Sequence, residues 1–213
     1  VFYYITTMNE NYQQPDMPKG IEGDVIKGMY LLEDGDSKDF KVSKPINQDH
    51  RIRLLGSGTI LREARKAAEL LRNEYSVVVD VWSVTSFNEL RREALNINRE
   101  NMLNPTKKQK IPFVTQKLST KRGPVLSVTD YMKIHSDQIR EFVPDVFRVL
   151  GTDGFGRSDS REQLRHFFEV DMKFIAAAAL FELKSEGILD GKTLMAHYKK
   201  LGIDKDKANP NYQ

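Results

Sequence analysis

The chain has 213 residues, 39% hydrophobic and 30% charged, and its 33 basic and 30 acidic side chains leave a net charge of +3. That near balance argues against a nucleic-acid partner, which calls for a concentrated basic face, and no apolar run is long enough to span a membrane. The chain has no cysteine, which excludes disulfides and thiolate metal sites and fits a reducing compartment; a cytoplasmic location is expected.

Residues 1–7, opening Val1-Phe2-Tyr3-Tyr4-Ile5, read as a buried strand. Chain ends are usually loose and polar, so this strand is expected to continue from preceding sequence. Asn9, Glu10, Asn11 and Tyr12 form a polar exit from it. Pro15, Pro18 and Gly20 then break regular structure, and 13–23 reads as an interdomain linker. The expected division is 1–23, the last strand of a preceding domain plus linker, and 24–213, one α/β domain.

Met29–Leu32 predicts a short strand, and Asp34–Gln48 a charged surface loop with at most a short hairpin. Ile52–Leu55 reads as a strand, Gly56-Ser57-Gly58 as a turn and Thr59–Asn73 as a helix. Ile60, Leu61, Ala64, Ala67, Ala68 and Leu71 mark the buried face of that helix, opposite Arg62, Glu63, Arg65, Lys66 and Glu69. Val77–Val84 is nearly continuously apolar, as a strand buried on both faces is. The three elements predict a right-handed β-α-β unit.

Ser86 with Glu89 caps a helix carrying Leu90, Ala94 and Leu95. Asn96–Lys110 reads as a polar loop, its Lys107, Lys108 and Lys110 solvated. Phe113, Val114 and Leu118 favour a helical turn. Val125–Val128 predicts a strand, Tyr131–Phe142 a helix stopped by Pro144, and Arg148-Val149-Leu150 a strand. Asp171 caps a helix Met172–Ser185, which Gly187 ends. Asp190 starts a last helix through Lys200, and Asp204–Gln213 is a polar tail. The aromatic residues Trp82, Phe87, Phe167, Phe168 and Phe174 read as core. The expected fold class is α/β, a three-layer, open, mixed and mainly parallel sheet with helices on both faces.

The densest polar constellation follows the last strand. Gly151, Gly154 and Gly156 punctuate a turn that carries Asp153, Arg157, Asp159 and Arg161. Ser160 with Gln163 fits a capping box. Such a loop lies at the carboxyl end of a strand, where α/β sheets build sites. Two readings stay open. One is a site or interface loop. The other is a self-satisfied turn, with Asp153 bonded to backbone amides and Arg157 paired to an aspartate. His166 follows the turn closely and is a further candidate. His50, His135 and His197 show no ligand spacing.

Gly56-Ser57-Gly58 has two glycines of a dinucleotide-binding turn, but Leu61 stands in place of the third, and Asp80 falls inside the next strand. Together with Gly151–Ser160 it supports an alternative function, an independent domain binding a small anion or nucleotide. No G-x-S-x-G elbow and no P-loop occurs.

Several long runs carry a resemblance: G-T-D-G-F-G-R-S-D-S-R at 151–161, L-R-H-F-F-E-V-D at 164–171, V-F-Y-Y-I-T-T-M-N-E-N-Y at 1–12, L-L-G-S-G-T-I-L-R at 54–62, D-V-W-S-V-T-S-F-N-E-L at 80–90 and T-D-Y-M-K at 129–133. They resemble, in the same order, the C-terminal domain of the homodimeric bacterial pyruvate dehydrogenase E1 components, in the transketolase-like, thiamine-diphosphate-dependent family. The resemblance implies a transketolase C-terminal-domain-like fold for 24–213, and for 1–7 the strand that closes the middle, pyrimidine-binding domain. It implies thiamine diphosphate and magnesium in the full enzyme, but neither in this chain. The family's G-D-G…N motif, its histidine-rich active-site loop and its cofactor-activating glutamate have no counterpart here.

The implied activity belongs to the full-length subunit: decarboxylation of pyruvate and reductive acetylation of the lipoyl group of the E2 acetyltransferase. This chain alone is expected to be inactive, with no catalytic residue. Its implied role is dimer assembly and the substrate-channel wall, and its implied partners are the rest of the E1 subunit, a second E1 subunit and E2. By position, Asn9, Glu10, Asn11 and Tyr12 are channel-rim candidates. Asp153, Arg157, Asp159 and His166 are interface or site-loop candidates.

Overall fold

Branched apolar residues set the sheet. In a computed structural model, which describes residues 2, 4, 5, 7–40 and 47–213, five strands form: β1 (Met29–Glu33), β2 (Asn47–Gly56), β3 (Val77–Val84), β4 (Val125–Val128) and β5 (Phe147–Leu150). Their order is β1-β3-β2-β4-β5. β2 pairs in parallel with β3 and β4, and β4 with β5, while β1 runs antiparallel to β3 at one edge. The helices are α1 (Glu22–Lys27), α2 (Leu61–Tyr75), α3 (Phe87–Leu103), α4 (Phe113–Leu118), α5 (Lys133–Asp137), α6 (Arg161–Phe167), α7 (Met172–Ser185) and α8 (Gly191–Leu201).

Strand alternation divides the apolar side chains into two cores. Ile52, Leu54, Val79, Val81, Leu126 and Val128 meet α2, α7 and α8 on one face. Leu55, Trp82, Val84, Val125 and Val149 meet α3, α4 and the 139–142 turn on the other. The mixed, mainly parallel three-layer sandwich expected from the sequence is therefore present. Trp82 and Phe87 are core, whereas Phe167, Phe168 and Phe174 are only half-buried.

Helix ends follow the sequence closely. Ser86, Asp171 and Asp190 each accept a backbone N–H three residues on, from Glu89, Phe174 and Thr193. Gly187, at φ +77°, ends α7. Its N–H bonds Lys184 O at 3.0 Å and the Ile188 N–H bonds Leu183 O at 2.9 Å, the paired bonds of a Schellman turn.

Three expectations need correction. The strand expected at 1–7 is not among them, since it is expected to pair within a preceding domain: Val1, Tyr3 and Thr6 lie outside the described residues, and Phe2, Tyr4, Ile5 and Thr7 join no strand of this sheet. β2 starts at Asn47, earlier than Ile52, because the Asn47 N–H bonds Ser76 O at 3.0 Å and pairing with β3 begins there. α3 runs on to Leu103 through residues expected to be loop. Its polar side chains are tied to the backbone of 110–113: Glu93 accepts the Phe113 N–H at 3.0 Å, and Asn101 bonds both the N–H and the C=O of Lys110, at 2.9 and 2.8 Å.

The helix expected over Tyr131–Phe142 is instead α5 and a separate 3-10 turn, Arg140–Phe142. Tighter bonds from Ile139 to Ser136 and from Phe142 to Ile139 break the helix. They turn both Ile139 and Phe142 into the core. The polar tail is partly anchored: Lys207 Nζ donates to Phe167 O at 2.8 Å and pairs with Glu169 at 3.1 Å, and Pro210 is buried. Of the expected 34–48 loop, 41–46 lie outside the described residues.

Candidate functional site

Three parallel strands end level with one another, Gly56 of β2 beside Val128 of β4 beside Leu150 of β5. Their exits stay laced together. The Ser57 N–H bonds Val128 O at 3.2 Å, and the Thr129 N–H bonds Leu150 O at 3.1 Å. Ser57 Oγ donates to Thr129 Oγ1 at 3.0 Å. Thr152 reaches back with its N–H to Tyr131 O at 2.9 Å and its hydroxyl to Asp130 O at 2.8 Å. Gly151 is required here because a Cβ would stand 2.7 Å from Tyr131 O and 2.9 Å from Lys133 N, both backbone atoms. Gly58, at φ +55°, lets the first exit turn beside Asp130.

Above these exits lies a cleft of about 320 Å³, lined by the β2 and β4 exits, the 152–157 turn, α6 and Met8. The structure brings Asn9 and Glu10 against the arginines of α6, across about 150 positions of sequence. Arg161 donates to Asn9 Oδ1. Glu10 is surrounded by three guanidinium groups: Arg62 at 3.3 Å, Arg161 at 3.4 Å and Arg165 at 3.7 Å. The Tyr12 ring lies under the Arg62 guanidinium at 4.5 Å. Asn11 is exposed beside them.

The remaining candidates separate into roles. Asp153 accepts the Lys133 N–H at 2.8 Å and pairs with Lys133 Nζ at 3.7 Å. It pins α5 to the glycine turn, through a backbone amide twenty residues away rather than one of the turn's own. Among the described residues Arg157 pairs with no aspartate; its guanidinium lies over the Phe167 ring at 5.0 Å and borders the cleft. Asp159 accepts the Ser160 N–H at 2.6 Å, replacing the return half of the expected capping box, while Ser160 Oγ accepts the Gln163 N–H at 3.3 Å. His166 faces away from the cleft. Its Nδ1 is 2.9 Å from Asp171 Oδ2, and its ring lies against Phe174.

Arg62 and Arg165 escaped the sequence reading. Arg62 looked like part of the solvated side of α2. Arg161 and Arg165 stand four residues apart on α6, and like charges at that spacing repel unless an anion lies between them. That spacing was the available signal. Among the described residues no three of His, Cys, Asp and Glu converge where a metal ion could be held. No helix among them is long and apolar enough to cross a membrane.

An open, mainly parallel sheet with one antiparallel edge strand, and loops gathered at its carboxyl end, defines the class. Residues 28–171 match the transketolase-like TK C-terminal domain, and the chain belongs to that family. It is similar to the pyruvate dehydrogenase E1 component of Pseudomonas aeruginosa, with 53% identity over 99% of this chain and 23% of that protein. The Escherichia coli K12 E1 component is 48% identical over 99% of this chain and 22% of that protein. The chain therefore spans less than a quarter of the length of these relatives. Among solved structures it is similar to transketolase from Campylobacter jejuni, at 18% identity and a TM-score of 0.48, over 77% of this chain and 20% of that one.

Proposed function

We propose that the chain serves as the C-terminal, noncatalytic part of a pyruvate dehydrogenase E1 subunit. The observation that carries this reading is the 53% identity to an E1 component across 211 residues, with the family match at 28–171 beside it. In this reading the full enzyme decarboxylates pyruvate with thiamine diphosphate and magnesium, then reductively acetylates the lipoyl group of E2. The cofactor supplies the carbanion chemistry when bound. This reading places thiamine diphosphate and magnesium in the rest of the subunit; among the described residues no three of His, Cys, Asp and Glu converge where a metal ion could be held. No step of the reaction is assigned to this chain, and alone it is inactive.

What the chain contributes is a scaffold. Phe2, Tyr4 and Ile5 are 96%, 91% and 76% exposed, an apolar stretch that needs cover. The rest of the E1 subunit supplies that cover by taking 1–7 as a strand, which makes 1–23 strand plus linker and 24–213 the domain proper. Asn9, Glu10, Asn11 and Tyr12 then leave that strand as channel rim, clamped by Arg62, Arg161 and Arg165. Asp153, Arg157, Asp159 and His166 remain candidates for contacts with the rest of the E1 dimer in the cytoplasm. The alternative of an independent small-anion or nucleotide-binding domain keeps one observation, the arginine-bordered cleft, which does not require the chain to act alone.

A chimera tests the scaffold role. The Pseudomonas aeruginosa E1 component, with its matched segment exchanged for this chain, is expected to remain a dimer that decarboxylates pyruvate only with thiamine diphosphate and magnesium. A folded chimera that is monomeric would contradict the assembly role. A dimer without activity would contradict the channel-wall role.

A further inference from the structure

We propose that the cleft at the carboxyl ends of β4 and β5 binds a phosphate monoester, its phosphate held by Arg157, Arg161 and Arg165. This goes beyond the scaffold role and does not depend on it.

Three features of the cleft point the same way. The first is charge. Among the described residues its ionisable lining is these three arginines and Asp130, a net of two positive charges. Glu10 with Arg62, and Glu63 with Lys66, adjoin the cleft as pairs of opposite charge, so they leave that sum unchanged. A phosphate monoester carries about −1.5 to −2 near neutral pH, so it matches the sum where a monocarboxylate does not.

The second is unused donor capacity. Arg165 is 15% exposed in its side chain, yet among the described residues it has only two ion pairs, at 3.7 Å to Glu10 and 3.6 Å to Glu63. Both are longer than a hydrogen bond. Among the described residues the Arg165 guanidinium N–H groups thus have no close acceptor and are open to a ligand or to water. Arg157 has no ion pair among the described residues and only the face of Phe167. Glu10 Oε2 is itself buried without a hydrogen bond. The resident carboxylate sits near these arginines without satisfying them.

The third is shape. Beside the arginines the cleft is lined by Met8, Ile60, Leu164, Phe168 and Val170, a surface for the apolar body of an ester. At about 320 Å³ it has room for more than a bare phosphate ion. Guanidinium forks suit phosphate oxygens in pairs.

The test titrates phenyl phosphate, inorganic phosphate, benzoate and phenol into the intact chain by calorimetry. Phenyl phosphate is expected to bind one site saturably, more tightly than inorganic phosphate or benzoate, and phenol is expected not to bind. Its affinity falls as pH drops below about 6, where a phosphate monoester gains its second proton. Arg165→Met weakens binding about ten-fold or more. Arg157→Gln does the same without touching the core, so a folding defect in the first variant leaves the second to decide. Glu10→Gln tightens binding several-fold by removing the competing carboxylate. The proposal is overturned if phenyl phosphate does not saturate, if benzoate matches it, or if Arg157→Gln binds as the unaltered chain does.

Discussion

Arg53→Met is expected to lower the folding stability by about 2–5 kcal/mol, the cost of leaving two carbonyls and a partly exposed carboxylate without their donor. Urea titration should show the midpoint falling with an unchanged slope. Arg53 sits on β2 between Ile52 and Leu54 and is 1% exposed. Its guanidinium closes three separate segments at once. It donates to Leu118 O at the end of α4, to Gly123 O through Nε at 3.0 Å and through Nη2, and to the Asp145 carboxylate just before β5. Burial pulls the Arg53 pKa down, and Asp145 pulls it back up. Methionine fills similar space but leaves two carbonyls and one carboxylate without their donor. A loss below about 1 kcal/mol would mean that water replaces the guanidinium.

Asp80→Ala should be comparably damaging, about 3–5 kcal/mol by the same measurement. Asp80 lies on β3 at 1% exposure. It accepts the Gly35 N–H at 2.8 Å, Arg51 Nη1 at 2.9 Å and Lys121 Nζ at 3.2 Å. It is the buried anchor of a network whose outer carboxylates, Asp34 and Asp36, share the same cations. Burial works to raise the Asp34 carboxyl, but hydrogen bonds from Lys121 and the Asp36 amide outweigh it and hold the pKa below the usual value. The Lys121 hydrogen bond lowers Asp36 in the same way, against its burial.

A carboxyl lowered on folding adds stability above its unfolded pKa of about 4 and loses it as pH falls through the folded value. Acid should therefore strip this contribution from the chain below about pH 4. Asp80→Ala keeps Asp34 and Asp36 and should retain that acid sensitivity while starting from a lower stability. A variant as stable as the parent at neutral pH would show that Arg51 and Lys121 are satisfied by the outer pair alone.

Much of the fold was legible because its signals are local. Val77–Val84 is apolar almost throughout, and β3 has those bounds. Ser86, Asp171 and Asp190 announce helix starts through side chains that can reach only their own next turn. Gly187 marks a helix end because it takes a positive φ at no steric cost. Arg53 was not legible: a charge between two apolar residues reads as a solvent face, and the segments at Leu118, Gly123 and Asp145 that take its hydrogen bonds are distant in sequence. The length of α3 was hidden for a related reason, since Glu93 and Asn101 are polar yet occupied by backbone groups of Lys110 and Phe113.

The site was legible in its parts and not in its assembly. Asn9–Tyr12 and Asp153–Arg161 stood out separately. Their meeting through Glu10 and the α6 arginines spans about 150 residues, a distance over which no sequence period operates. Asp153, singled out for its charge, spends it on the Lys133 amide. Arg165, not singled out, faces the cleft.

The measurement that bears most directly on the central claim is the intact mass and activity of the native polypeptide, captured from its source with an antibody to this chain. The account predicts a subunit about four times heavier than 24.5 kDa, from the 23% of the relative that the chain spans. That subunit should decarboxylate pyruvate only when thiamine diphosphate and magnesium are supplied. A native product of 24.5 kDa that binds phenyl phosphate and leaves pyruvate untouched under all conditions would contradict the account and make the chain an anion-binding domain in its own right.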